Sequence, residues 1–457
     1  MGRLSYHRFF KALYFLITGL IVIAPALYNR YPLMYSDSGA YIEMAAQLEP
    51  SFHRSMGYPL LMNLTGLMIS NWPIVLLQGL LSSFLIFRII RSLKVEKLFW
   101  SHFFTILTMS FGSALSWYAA QLMPDIWTFI LVLAFGGLLL EPKLKWPMHL
   151  FYGLVIYASL IVHLSHIPLY LLLLCSLVAV YLLVKKKPIA TMAREKWIGL
   201  GVPLVGGFIT LCSINAVHGH GFRLSLASNV FIAANLGEMG ILKFYLDEQC
   251  DQKELMLCEW KDNLPKETGG YLWDPNGPVQ KHPGGWEDAN NDLAPIVHDF
   301  IWKPRYLKWF IVASVKATFK QMFQVEIGSG LQRAYGEGTP PFNPMKNHFK
   351  QEFNEYLTSV QNKGDELPIS FFRAINYITL FMSFLLIGKV VLERKLPPAM
   401  VVLLLVFCAA YFFNAAITGI LANVYERLQV RLLPLIHFFA ILVYLKLIDS
   451  NRIASEH

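Results

Sequence analysis

About ten apolar runs divide this chain, and in hydrocarbon each must satisfy its own backbone N–H and C=O groups, which leaves the α-helix as the form a single run can take. They cover residues 9–28, 72–90, 98–115, 126–140, 148–162, 167–184, 197–214, 369–391, 399–417 and 431–447. Crossing roughly 30 Å of hydrocarbon takes about 17 to 25 residues, so several runs sit at the short limit. Of 457 residues 55% are hydrophobic and only 15% charged, against about 25% charged in a soluble domain. The expected fold class is an all-α polytopic membrane protein of about ten transmembrane helices.

The formal charge of +9 does not point to nucleic acid, because the basic residues lie scattered over short loops and form no single stripe. The positive-inside rule accounts for them. With the amino terminus (Arg3, Arg8, Lys11) in the cytoplasm, so are the loops holding Arg91, Lys94 and Lys97; Lys143 and Lys145; Lys185, Lys186 and Lys187 with Arg194 and Lys196; and Arg394 with Lys395. Both termini are then cytoplasmic in a multi-pass plasma (inner) membrane. Ala24-Pro25-Ala26 resembles a signal-peptide cleavage site, but a run of this length ahead of a membrane-embedded chain reads as a retained helix.

This topology divides the chain into a transmembrane module (residues 1–214), a long polar stretch on the outer, periplasmic side (215–368) and the last transmembrane helices (369–457). The outer stretch is the place for a mixed subdomain between the seventh and eighth helices. Within it residues 306–323 are amphipathic, with Lys308, Lys316 and Lys320 on one face and Trp309, Phe310, Phe319 and Phe323 supplying apolar surface. That pattern suits a helix in the membrane interface, or one packed on its own subdomain. Cys250 and Cys258, eight positions apart in an oxidising compartment, are expected to form a disulfide, whereas Cys175, Cys212 and Cys408 lie in apolar runs as small hydrophobes.

The conspicuous polar residues then gather on one membrane face. Asp37, Tyr41, Glu43, His53 and Arg54 lie in the first outer loop, ahead of a short surface helix in GYPLLMNLTGLM. Gln121 and Asp125 mark the second outer loop, His163 and His166 the third, and His218, His220 and Arg223 open the long segment. Tyr425, Glu426, Arg427 and Arg431 stand at the last outer boundary. Each has a plainer reading: a solvated carboxylate, a helix N-cap for Asp125 behind Pro124, a structural histidine, a snorkelling arginine. Their recurrence over several loops suits a site for a substrate with a polar head and a lipid tail.

The order of these features resembles the GT-C class of membrane glycosyltransferases, which includes protein mannosyltransferases and lipid A aminoarabinose transferases. The acidic first outer loop of form D-x-x-x-Y is similar to Asp37-Ser38-Gly39-Ala40-Tyr41, and the helix-opening turn that follows it to Gly57-Tyr58-Pro59. The second acidic position matches Pro124-Asp125, and the basic, proline-containing start of a late helix matches Arg431-Leu432-Leu433-Pro434. The resemblance implies an enzyme that moves a sugar from a polyprenyl-phosphate donor to an envelope glycolipid, polysaccharide or protein acceptor at the outer face.

In that scheme Asp37 is the expected base, its pKa raised by partial desolvation beside the bilayer. Asp125 is the second carboxylate, orienting the acceptor or, with Asp37, a divalent Mg or Mn ion. Arg427, Arg431 and, with them, Lys308 or His166 hold phosphate oxygens. Tyr41, Glu43, His53, Arg54, Gln121, His163 and Tyr425 complete the substrate-binding set. The rival readings are an O-antigen-type polysaccharide polymerase or ligase and a lipid-linked sugar transporter or flippase. A transporter would carry ionisable groups near the midplane and related halves; these runs are nearly free of charge at their centres and show no repeat.

Overall fold

The computed structural model describes residues 2–184, 193–331, 333–364 and 367–455. Lys185, Lys186 and Lys187 lie outside the described residues. Among the described residues the chain is helical and contains no strand, with isolated bridges only at Leu33–Gln121 and Ser51–Arg54. Among the described residues five helices are long and apolar enough to cross a membrane: Trp72–Ser92, Arg194–Val217, Ile369–Leu392, Pro398–Leu421 and the stretch Glu426–Asp449. Ile126–Leu140, Trp146–Val162 and His166–Leu182 are shorter apolar helices. The chain thus has the apolar helices of a membrane protein.

Two of the expected runs are interrupted. The first divides into Gly2–Val22 and Ala24–Asn29, because Pro25 lacks the N–H that a continuous helix would donate. The run 98–115 ends as a helix at Gly112 and resumes as Leu115–Ala119 after an extended Ser113.

Ile126–Leu140 is the centre of the bundle, buried on every side from Ile126 to Leu138. Ile369–Leu392 is its opposite, leaving Phe371, Ile378, Phe381, Met382, Phe384 and Leu385 exposed. An apolar face of that extent is tolerable against lipid and not against water.

Each helix returns the chain to one of two ends. At one end lie the short basic connections, tied by Lys446 Nζ donating to the Lys94 carbonyl at 3.1 Å and Lys196 Nζ to that of Leu139 at 2.8 Å. The polar residues singled out above lie at the other.

The stretch 215–368 folds as two unlike parts. The first buries its own core, including Val230, Leu242, Tyr245, Tyr271, Ile296 and Phe300. Cys250 and Cys258 are joined there by a disulfide with Cα atoms 5.6 Å apart. The second part packs into the main core through Ile327, Leu331, Tyr335, Met345, Phe349 and Tyr356. Buried hydrogen bonds hold it: Tyr31 Oη donates to Glu352 Oε2 at 2.8 Å, and the Gln361 N–H to Asn29 Oδ1 at 2.7 Å.

Candidate functional site

Asp37 lies in the first turn of Ser36–Gln47, where the helix dipole favours a negative charge. The start of this helix is fixed by Ser38 Oγ, which accepts the Tyr35 N–H at 2.9 Å and donates to the Leu122 carbonyl at 3.0 Å. Gly39 is needed because a Cβ there would strike the Pro340 carbonyl oxygen. Gly57 has the same reason: a Cβ would collide with the Ile161 carbonyl, just before His163. Two glycines of the quoted motifs thus press the first outer loop against two other segments.

Arg54 Nη2 donates to Asp37 Oδ1 at 2.6 Å, and Arg427 Nη1 to Asp37 Oδ2 at 3.1 Å. Arg427 Nη1 also stands 4.0 Å from Asp125 Oδ2, and Arg431 Nη1 3.4 Å from Asp125 Oδ1. Two carboxylates and three guanidinium groups form one connected cluster, with one positive charge in excess. Asp125 makes no side-chain cap to the helix after it, so its carboxylate serves the guanidinium groups. The cluster is layered: Arg431 and Asp125 are sealed beneath it, while Asp37 keeps 24% of its side chain exposed at the mouth.

The two late arginines flank a break in the last helix. The chain turns between Glu426–Val430 and Leu433–Ser455, with Pro434 in the first turn of the second piece, a position that needs no N–H. Asn414 secures the break: its Oδ1 accepts from Arg431 Nη2 at 2.9 Å, and its Nδ2 donates to Gln429 Oε1 at 2.8 Å. The Arg427 guanidinium lies 4.2 Å above the Tyr35 ring, a cation–π contact. Both arginines keep a buried Nε–H without a hydrogen-bond partner. Such orphans are uncommon in protein interiors, and here they sit beside excess positive charge.

Burial opposes ionisation of Asp37, but the charges of Arg54 and Arg427 outweigh it and hold the carboxyl at about 2. The expectation of a raised pKa is therefore overturned: two cations reach this carboxylate, and desolvation alone would have required none. Burial, with Arg54 adding to it, pushes His53 down to about 3, so its ring is neutral.

The other expected residues fall in different places. Tyr41 packs edge-on against Tyr58, under Arg54. Glu43 is turned away, pairing with His348 at 3.1 Å. Gln121 is buried, with its side-chain oxygen unpartnered. His166 Nδ1 meets the Ser159 carbonyl at 2.6 Å, which obliges it to carry the proton, and Nε2 accepts from Thr128 Oγ1 at 2.7 Å. With both nitrogens committed, His166 is a structural hydrogen-bonder and not a phosphate ligand. His163 stacks on it and meets Ser165 Oγ at 2.8 Å, which in turn accepts from Arg431 Nη2 at 3.3 Å. Tyr425 Oη lies 3.0 Å from Tyr35 Oη and accepts from Ser329 Oγ at 2.7 Å.

Lys308 does not join the cluster. It is exposed on the helix Pro304–Met322, thirteen residues and so about 20 Å along the axis from Gln321, which donates to the Tyr425 carbonyl.

Tyr35, Asn414 and Ser165 join the site without having been expected there. Asn414 had a signal, being a lone amide in an apolar run; Tyr35 had only its nearness to Asp37.

Both Asp37 and Asp125 face cations, and among the described residues no three His, Cys, Asp or Glu side chains gather as a metal-binding group. A divalent ion between these carboxylates would have to displace guanidinium groups and would meet their charge, so the residues do not fit one. The arrangement fits an anion carried at the end of a membrane helix bundle. Compared with family models, curated proteins and solved structures, the chain finds no match.

Proposed function

We propose that this chain is a membrane glycosyltransferase that takes a sugar from a polyprenyl-phosphate donor on the face where the Asp37 cluster opens, and that this face is the outer one. The observation that carries this reading is the cluster itself: three guanidinium groups outnumber two carboxylates beside the apolar helices, and two of the three keep an unpartnered Nε–H. Arginine's planar fork suits phosphate oxygens, and the prenyl tail would run against the apolar helices below.

The depressed pKa of Asp37 gives the base a switch. In the free protein Arg54 and Arg427 hold Asp37 ionised and weakly basic. A phosphate that accepts hydrogen bonds from the same guanidinium groups neutralises part of their charge, so the pKa of Asp37 rises when donor is bound. Asp37 can then take the proton of the acceptor hydroxyl as that oxygen attacks the anomeric carbon and the prenyl phosphate departs with the C–O bonding pair. Arg427 and Arg431 stabilise the charge the phosphate gains on leaving, and Asp125 holds those two arginines in place.

The test is mass spectrometry of envelope glycolipids, polysaccharides and proteins from cells lacking this chain, complemented with wild type or Arg427→Met at matched membrane levels. Restoration of a sugar modification by wild type alone supports the transferase, and the missing mass names the sugar. Full restoration by Arg427→Met sinks it. Labelled lipid-linked sugar crossing sealed vesicles would instead establish a flippase.

A further inference from the structure

Trp273 ends the short helix Thr268–Leu272. The two residues before it, Tyr271 and Leu272, are 2% and 1% exposed in the subdomain core, yet Trp273 is 46% exposed. The indole is turned out of the core that holds its two predecessors, and its neighbours bear on why. Its ring centroid lies 5.2 Å from Trp286 and 5.0 Å from His53, and His53 lies 5.0 Å from Trp286, so three rings form a closed triangle.

This triangle joins two parts of the chain. Trp273 and Trp286 belong to the subdomain with its own core, and His53 to the first outer loop. Arg54 places its guanidinium 5.8 Å from the Trp273 ring centroid while donating to Asp37 at 2.6 Å. The exposed indole is therefore one side chain from the Asp37 carboxylate. Beside it Asp274 is exposed, with Oδ1 turned to the Asn276 N–H at 2.8 Å.

We propose that Trp273 is the stacking surface for a pyranose ring, buttressed by Trp286 and His53 and positioned so that the hydroxyl edge of the ring meets Arg54 and Asp37. This rests on the glycosyl-transfer reading and names the chemistry of its sugar subsite. A pyranose has one face of C–H groups and a rim of hydroxyls, so it is matched by a flat apolar ring bordered by charged and amide groups. A prenyl chain would want a continuous apolar trough, whereas this surface is one indole wide with Arg54 and Asp274 at its border. Trp309 and Phe319 on Pro304–Met322 are also exposed, but neither stands beside Asp37.

The test uses the full-length protein in a detergent without a sugar head group, and methyl glucoside, galactoside, mannoside and N-acetylglucosaminide as probes. Saturation-transfer NMR reads which ring protons touch protein, and polyprenyl phosphate binding is measured on the same samples. The expected result is saturation of one face of at least one pyranoside, with affinity about threefold to tenfold weaker in Trp273→Ala, retained in Trp273→Phe, and polyprenyl phosphate affinity unchanged in both variants. Pyranoside binding that persists with a polyprenyl-phosphate-linked sugar present assigns the ring to the acceptor; displacement by that donor, and not by polyprenyl phosphate alone, assigns it to the donor's own sugar. Either upholds the stacking surface. Wild type that binds polyprenyl phosphate but no pyranoside, or Trp273→Ala that binds pyranoside as wild type does, overturns this proposal and leaves the transferase reading standing. Pyranoside binding without polyprenyl phosphate binding keeps the surface and sinks the donor assignment.

Discussion

Replacing Asp37 by asparagine separates electrostatics from shape, because the amide keeps the volume and loses the charge. Holding the carboxyl at about 2 instead of its ordinary 3.8 is worth on the order of 2 kcal/mol at neutral pH. The sign follows from the depressed folded value: this stability is fully present above about 3.8 and fades as the pH falls through 2. Asp37→Asn should therefore lower the melting midpoint at pH 7 by about 2 to 4 °C, and the gap from wild type should close between pH 4 and pH 2. The same substitution removes one of two negative charges from a cluster of five, so polyprenyl phosphate should bind more tightly, by about tenfold for an added attraction of about 1.4 kcal/mol. Tryptophan-fluorescence melts across the pH range and titration with polyprenyl phosphate read the two effects, which have opposite signs. A variant as stable as wild type at pH 7, or one that binds the phosphate more weakly, would refute this account of Asp37.

Asp125→Ala strips the sealed Arg431 of its carboxylate, and should cost about 3 to 5 kcal/mol, with much of the loss recovered in Asp125→Ala/Arg431→Met; thermal melts of the three proteins check this. Gly57→Ala drives a methyl group onto the Ile161 carbonyl; it should lower the melting midpoint and also weaken polyprenyl phosphate binding, since Arg54 shares that loop, whereas Gly66→Ala, with open space around it, should change neither. Cys250→Ser opens a loop closed across eight positions and should destabilise the subdomain by about 2 to 3 kcal/mol, read as faster hydrogen exchange over residues 227–313 with the spanning helices unaffected.

Some of this was legible in residue types alone. A run such as residues 126–140 becomes helix Ile126–Leu140 because hydrocarbon permits nothing else, and Arg431 with Pro434 marked the start of a late helix because proline suits a first turn, whereas the short helix Glu426–Val430 ahead of it was not read. Asp125 was ambiguous for a physical reason: a carboxylate before a helix looks the same whether it caps that helix or reaches a guanidinium 306 positions away. The pKa of Asp37 depended on two partners, one 390 positions distant, and no local pattern carries that. Lys308 was misplaced because amphipathic spacing tells which face a residue takes and nothing of which neighbour meets it. Trp273 became a candidate only when its ring was seen outside a core that holds its two predecessors.

The pairing of Asp125 with Arg431 also sets a clock. Translation runs at roughly 5 to 20 residues per second, and 306 residues separate the two, so Asp125 is delivered to the membrane roughly 15 to 60 s before its cation exists. For that interval the nascent bundle holds a carboxylate among apolar helices with nothing to neutralise it, and it must stay hydrated, take up a proton or be shielded by the insertion machinery. The segment that carries Arg427 and Arg431 is the one that ends this state, so a chain truncated before Arg427 leaves Asp125 without either guanidinium.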